Sequence, residues 1–309
     1  MAHRAGGLRP PYEMIAPTAA RDVANAIGPP AYGRWLGSAF VLLVAAWLAW
    51  IVATNPNFEW PVVGQYLTAG AVARGLSVTL GLTAVAMIIG VVFGLLLAVA
   101  RLSASRPLHA SAAVYIWFFR GTPLLVQLLF WYNLSALFPT IGPWNTNDLI
   151  SPTTAAIAGL GLNEAAYMAE IIRGGLLSVP RGQYETAQAF GMTYARALMR
   201  IILPQAMRAI IPPTGNQLIS MIKATSLVSV IAMADLLYSV QAVYNRTFQV
   251  IPLLMVAVLW YLFITSILNV GQSAIERYYG RSEQEGQGAP PPGPPLRAEP
   301  LEPICSSGL

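Results

Sequence analysis

The feature that most limits what this chain can become is a run of about 19 residues, from Trp35 to Ala53, without a charged side chain. A helix needs about 20 mostly apolar residues to cross a bilayer, and such runs recur. They lie at about 76–100, within 110–138, at about 154–172, at the start of 210–244, and at about 251–271. In lipid a helix satisfies its own backbone hydrogen bonds, so the pattern predicts an all-α membrane protein with six transmembrane helices. Composition agrees. Only 10% of the residues are charged and 56% are hydrophobic, whereas a soluble domain carries about 25% charged residues. Too little polar surface is present to cover a globule in water. The net charge of +5 then reads as arginine beside membrane spans rather than a nucleic-acid surface.

The ends differ from this core. Residues 1–34 hold Arg4, Arg9, Arg21 and Arg34 among proline, glycine and alanine. The run at 35–53 is too long for the apolar region of a signal peptide, so it is expected to be retained as an N-terminal span. Residues 282–309 are rich in glycine, proline, glutamine and glutamate, a disordered composition. Cys305, in that tail, is the single cysteine and forms neither an internal disulfide nor a metal site by itself.

Orientation follows from the basic residues of the short loops. Arg101 and Arg106 mark one loop. Arg173, Arg181, Arg196, Arg200 and Arg208 mark the long loop 173–208, whereas 54–73 and 139–153 have none and Arg246 is the exception. Loop 173–208 and both termini are therefore expected in the cytosol. Two spans read as irregular. Arg120-Gly121-Thr122-Pro123 interrupts the third, where proline removes a backbone donor. The stretch 210–244, with Pro212, Pro213 and Gly215 near its start, is too long for one straight crossing, which predicts a span followed by a broken or re-entrant piece. In the second span, Gly90-x-x-x-Gly94 is a spacing that lets another helix approach closely, or marks a merely glycine-tolerant helix.

The long loop carries its own pattern. Ser178-Val179-Pro180 offers a helix start with proline in its first turn, and Gly191 a C-terminal stop. Thr193 can cap a second short helix, and Pro204 is expected to end it. Tyr184, Ala187 and Phe190 are spaced to share a face that could fill a groove on a partner.

Written out, Glu185-Thr186-Ala187, Gly191 and Ile201-x-Leu203-Pro204 closely resemble the EAA loop of binding-protein-dependent ABC importer permeases. Thr186 stands where that family usually has alanine. Further segments resemble its polar amino acid branch, the histidine, glutamine, glutamate, arginine and opine type. These are Arg120-Gly121-Thr122-Pro123-Leu124-Leu125-Val126-Gln127, then Ala166 through Gly175, then Val179-Pro180-Arg181-Gly182-Gln183. Lys223-Ala224-Thr225-Ser226-Leu227 is similar to a Lys-Asp-Thr-Ser-Leu segment, with Ala224 in the aspartate's place. The resemblance covers about 66–281. It implies a five-helix type I importer permease core, with the helix at 35–53 as an addition. It also implies that Gln183, Tyr184, Glu185, Ala187, Phe190, Gly191 and Pro204 form the coupling surface for a cytosolic ABC ATPase dimer. The other implied partners are a second permease subunit, identical or homologous, and an extracytoplasmic solute-binding protein. The implied location is the bacterial inner membrane.

The chain supplies no chemistry of its own on this reading. Its one lysine, Lys223, lies between Ile222 and Ala224, so the Gly-x-x-x-x-Gly-Lys-Ser/Thr phosphate loop is absent. ATP and magnesium are then expected on the separate ATPase, with no cofactor, metal or catalytic residue in this chain. Ionisable groups inside spans are functional candidates because they are costly there. Arg120, Thr122, Gln127, Asn163, Glu164, Glu170 and Lys223 are the candidates for the substrate path. Glu164 is the deeper acid, and Glu170 with Arg173 fits a structural pair three residues apart. The buried charges also fit an ion-coupled secondary transporter, which leaves the loop pattern unexplained. An opine is an alternative cargo.

Overall fold

The structure is a computed structural model and describes residues 32–286. The readings on 1–31 and 287–309 lie outside the described residues. Two units are distinguished, dividing after Phe58. The first holds helix α1 (Tyr32–Thr54) and a 3-10 turn at Pro56–Phe58. α1 presents apolar side chains such as Trp35, Phe40 and Trp50 to its surroundings, as a helix in lipid does.

The second unit begins with α2 (Trp60–Leu67) and α3 (Gly70–Leu102). Helices α4 (Arg106–Gly121), α5 (Leu124–Tyr132) and α6 (Leu134–Leu137) follow. A two-residue hairpin pairs β1 (Thr140–Ile141) with β2 (Trp144–Asn145), and α7 (Thr146–Leu149) leads into α8 (Pro152–Leu177). The long loop holds α9 (Arg181–Ala189) and α10 (Tyr194–Ala197). A π-helical turn at Leu198–Ile202 leads into α11 (Leu203–Ala224), which passes into a 3-10 segment at Thr225–Ile231. Helices α12 (Leu236–Thr247) and α13 (Val250–Gly286) complete the described chain.

Helix α8 is the hub, packed by α3, α4, α5 and α11. Gly90 of α3 abuts Glu164, and Gly94 abuts Met168 and Ala169. The two glycines therefore mark a close helix approach. Equal steps along both chains mean that α3 and α8 run in the same direction. Their C-terminal ends meet in one apolar cluster, where Ala98, Met168 and Ile172 pack with Val179, Ile202 and Ala206. The basic loop after α3 and the long loop after α8 thus leave the same end of the bundle. At the other end, Val63 and Val72 pack with Leu236, Val240, Leu253 and Val256. The segment after Trp60 is thereby tied to α13, and Trp260 Nε1 donates to the Leu67 carbonyl at 2.9 Å.

By length and apolarity, three described helices can cross a membrane: α1, α3 and α13. Counting each bent pair as one crossing gives five. α8, at 26 residues, is long enough but too polar to join them. Other helices cover it, so its side chains need not suit lipid. The sixfold count from apolar runs is accordingly approximate.

Both spans that read as irregular in the sequence are broken in the structure. The interrupted third span turns by 102° between α4 and α5, so it is not a straight crossing. Pro212 and Pro213 lie inside α11 without ending it. The break in that stretch falls later, after Ile231, with a 46° bend into α12. Ala232 takes a left-handed backbone there, at φ 58. The freed backbone groups are met by side chains: Thr79 accepts from the Leu236 N–H at 3.0 Å, and Asp235 caps α12 by accepting from the Tyr238 N–H at 2.8 Å. α13 continues to Gly286, beyond the expected start of a tail at 282.

Candidate functional site

The loop between α8 and α11 is folded rather than extended. Val179 is buried, and with Tyr184 it fixes the entry to α9 by packing into the cluster of Ile172 and Ile202. The helix starts at Arg181, one residue after Pro180, which occupies the capping position. Its end is a Schellman motif: Met192 N–H reaches the Ala187 carbonyl at 3.0 Å, and Gly191 N–H reaches the Gln188 carbonyl at 2.8 Å. Gly191 has φ +70 with nothing within 4 Å of a β-carbon placed there. Its requirement is conformational, not steric. Across the turn, the Tyr184 and Tyr194 rings stack at 6.4 Å. Partial burial, reinforced by Tyr194, pushes the Tyr184 phenol above its ordinary pKa.

Three expectations about this loop need correction. Ala187 is buried and Tyr184 is half-buried, so of the three residues assigned to one docking face only Phe190, 82% exposed, is free to enter a partner. Thr193 stands at the start of α10 but makes no side-chain cap. Pro204 does not end the second helix; it sits in the first turn of α11, where a missing N–H is tolerated. The preceding π turn carries the chain through. Gln183 and Glu185 are exposed, and Gln205 Nε2 donates to the Gln183 Oε1 at 3.4 Å.

The second feature is the break between α4 and α5. Thr122 has the extended backbone that a following proline enforces. The carbonyls left open at the end of α4 are satisfied by two buried amides. Gln127 Nε2 lies 2.9 Å from the Phe119 carbonyl and 2.7 Å from Thr122 Oγ1. Asn163 Nδ2 donates to the same Phe119 carbonyl at 2.9 Å and to Gln127 Oε1 at 3.2 Å. Gln127 is therefore a buttress behind the break.

In front of the break lies a cavity of about 540 Å³, lined by Arg120, Thr122 and Asn163 with Tyr167, Gln217 and Ser220. The Arg120 guanidinium sits 5.3 Å from the centre of the Tyr167 ring, within cation–π range. Glu164 is fully buried and reaches the cavity indirectly: its Oε2 accepts from Gln217 Nε2 at 2.9 Å, and its Oε1 has no partner. Glu170 pairs with Arg173 at 2.7 Å, as its spacing suggested. Lys223 lies elsewhere, in a separate cavity with Ser226, Tyr261 and Thr265. The seven path candidates thus divide. Arg120, Thr122 and Asn163 share one cavity, with Gln127 and Glu164 behind it and Glu170 and Lys223 outside it.

Tyr167, Gln217 and Ser220 were not picked out from the sequence. A signal existed: Tyr167 falls four residues after Asn163 on α8, and Gln217, Ser220 and Ala224 form one stripe of α11 at helical spacing.

A polar cavity inside an apolar bundle, with a compact folded loop at one end of it, defines a membrane transport subunit. The chain belongs to the family of binding-protein-dependent transport system inner membrane components, which it matches over residues 90–280. The arginine transport system permease protein ArgU of Corynebacterium glutamicum is 44% identical over 254 residues, covering 80% of each chain. The L-cystine transport system permease protein TcyB of Bacillus subtilis is 39% identical, over 72% of this chain and 88% of its own. Among solved structures, an amino acid ABC transporter crystallised with histidines aligns at TM-score 0.62 and 38% identity, over 67% of this chain and 94% of that one. This chain is accordingly a membrane-embedded ABC transporter permease, not an enzyme.

Proposed function

We propose that the chain is the permease subunit through which a polar α-amino acid enters a bacterial cell, driven by a separate ATPase that grips the α9 turn. The observation that carries this reading is the α9 segment itself. It is anchored by Val179, Tyr184 and Ala187, stopped by Gly191, and presents Phe190 outward at the end of the bundle where the arginine-bearing loops gather. A lever needs a stiff attachment and an exposed tip, and this loop has both. The bias of arginine toward the loops at that end supports a cytosolic position for it and for both termini.

The mechanism is alternating access. Two permeases, identical or homologous, form the path, and an extracytoplasmic binding protein delivers cargo. ATP closure of the ATPase dimer draws the two α9 turns together. That motion passes through Ile202 and Ala206 into α11, and through Val179 into α8. These two helices carry Asn163, Tyr167, Gln217 and Ser220, so movement of the loop changes the shape of the cavity. Cargo meets hydrogen-bonding groups and the Arg120–Tyr167 pair there. ATP and magnesium stay on the partner.

The amino acid assignment draws on relatives whose names give arginine and cystine, which share the α-amino and α-carboxylate groups. It is tested by purifying the tagged complex in mild detergent and assaying ATP-driven uptake in vesicles from a panel of arginine, cystine, glutamine, histidine and an opine. The expected result is a co-purifying ATPase, lost on disrupting 183–191, with uptake of at least one panel member. A chain that purifies alone and moves solute under an ion gradient without ATP overturns the reading.

A further inference from the structure

A cavity of about 650 Å³ lies between α3 and α12, walled by Tyr66, Tyr238 and Ser239, and both Arg74 and Arg246 line it. It has no part in the mechanism above. At 1.5 Å per residue, Arg74 lies about 36 Å along α3 from Ala98 and the coupling loop. The cavity therefore opens at the far end of the bundle, where the distribution of basic residues disfavours arginine.

Neither arginine is in an ion pair with another described residue. Among the described residues the one ion pair is Glu170–Arg173. Asp235 is buried and accepts from the Tyr238 N–H, and Glu59 accepts from Gln249 Nε2 at 3.2 Å. The helix dipole accounts for Arg246, in the last turn of α12. Arg74, the fifth residue of α3, has no such cause. An arginine set against the membrane charge rule, beside a second arginine on one concave surface, offers a matched pair of donors to an anion from outside the chain. The guanidinium fork matches the paired oxygens of a carboxylate or phosphate, and the two tyrosines supply walls with polar tips.

We propose that this cavity is an oxyanion site, in which Arg74 and Arg246 together hold a carboxylate or phosphate group. Two sources present that chemistry at this end of the bundle: the α-carboxylate of cargo, and the phosphate of a phospholipid headgroup. The cargo source rests on the amino acid reading above; the lipid source does not.

The test uses the full permease with its ATPase in nanodiscs, comparing wild type with R74Q/R246Q and R74K/R246K. One arm counts retained phosphatidylglycerol by native mass spectrometry. The other, in phosphatidylcholine alone, measures equilibrium binding of L-arginine and of argininamide, which lacks the carboxylate. The glutamine pair is expected either to lose about one phosphatidylglycerol per permease, or to weaken L-arginine binding on the order of tenfold while sparing argininamide. The lysine pair is expected to recover part of the loss. Both arginines are exposed, so unfolding temperatures should stay near wild type. If wild type binds no amino acid in neutral lipid, the cargo reading fails while the lipid arm still reads the site. A wild-type complex that takes up neither ligand, or a glutamine pair that matches wild type in both arms, overturns the site.

Discussion

Gly90 on α3 lies directly against the side chain of Glu164 on α8, leaving no room for a β-carbon. A fully buried carboxyl group thus sits where the two central helices come closest, held on its other side by Gln217. Gly90→Ala is expected to push the helices apart and cost about 1–3 kcal/mol, the usual range for overpacking. Gly81, on the same helix, has nothing within 4 Å of a β-carbon, so Gly81→Ala should be neutral or slightly stabilising. Thermal unfolding of both variants in one detergent checks the contrast. Equal effects would remove the close approach as an explanation.

Gly191 makes a different demand. Its φ of +70 meets open space, so alanine there pays only the left-handed penalty of about 1–2 kcal/mol. Proline cannot reach that φ and removes the N–H bonded to Gln188. Gly191→Ala should weaken ATP-driven uptake partially. Gly191→Pro should abolish it while membrane insertion stays intact. Vesicle uptake measured beside ATP hydrolysis decides, and normal coupled uptake by the proline variant would refute the lever role of the turn.

The buttress behind the α4–α5 break can be tested without touching the cavity wall. Gln127→Leu fills similar volume but strips the donor from the Thr122 carbonyl and leaves the Phe119 carbonyl to Asn163 alone. A buried acceptor left unsatisfied costs about 1–3 kcal/mol. Unfolding temperature should fall, and Gln127→Met should not restore it, because a thioether has no hydrogen to donate. Wild-type stability in the methionine variant would show that these carbonyls do not depend on the amide donor.

These contrasts also explain what the sequence could and could not disclose. Spans such as α1, α3 and α13 were legible because lipid-facing helices must be apolar along their length. α8 was harder to delimit, since a helix wrapped by protein can carry Asn163 and Glu164. The end of the α9 turn was legible because its device is local, a glycine after the last turn; at the start, Pro180 takes the capping position instead of standing in the first turn. Pro204 misled for the opposite reason: it is absorbed by the π turn before it. Pro212 sits inside α11 with its carbonyl taken by Gln272 of α13 at 2.8 Å. That partner lies 60 residues away, and no window of sequence exposes it. The cavity was half legible: Arg120, Thr122 and Asn163 stand out singly, but only packing shows that Gln217 and Ser220 face them.

Phe190 and Ala187 separate docking from packing within the coupling helix. They are three residues apart on the same stretch, yet Phe190 is 82% exposed and Ala187 is 1% exposed. A large apolar side chain that exposed gains nothing from its own fold, so Phe190→Ala should leave unfolding temperature close to wild type, within about 0.5 kcal/mol. If the ring fills a pocket on the ATPase, the same substitution should cost about 1 kcal/mol or more of association, as truncated interface anchors do. Ala187→Leu should reverse the pattern. It forces extra methylenes into a closed contact, lowering stability by about 1–3 kcal/mol, and loosens ATPase binding only as far as α9 is displaced. Co-purification of the ATPase, measured beside thermal unfolding for both variants, gives four readings. Loss of ATPase in Phe190→Ala with stability intact places the ring in the interface. An ATPase held as tightly as in wild type would move the docking surface elsewhere on the loop, to the exposed Gln183 and Glu185.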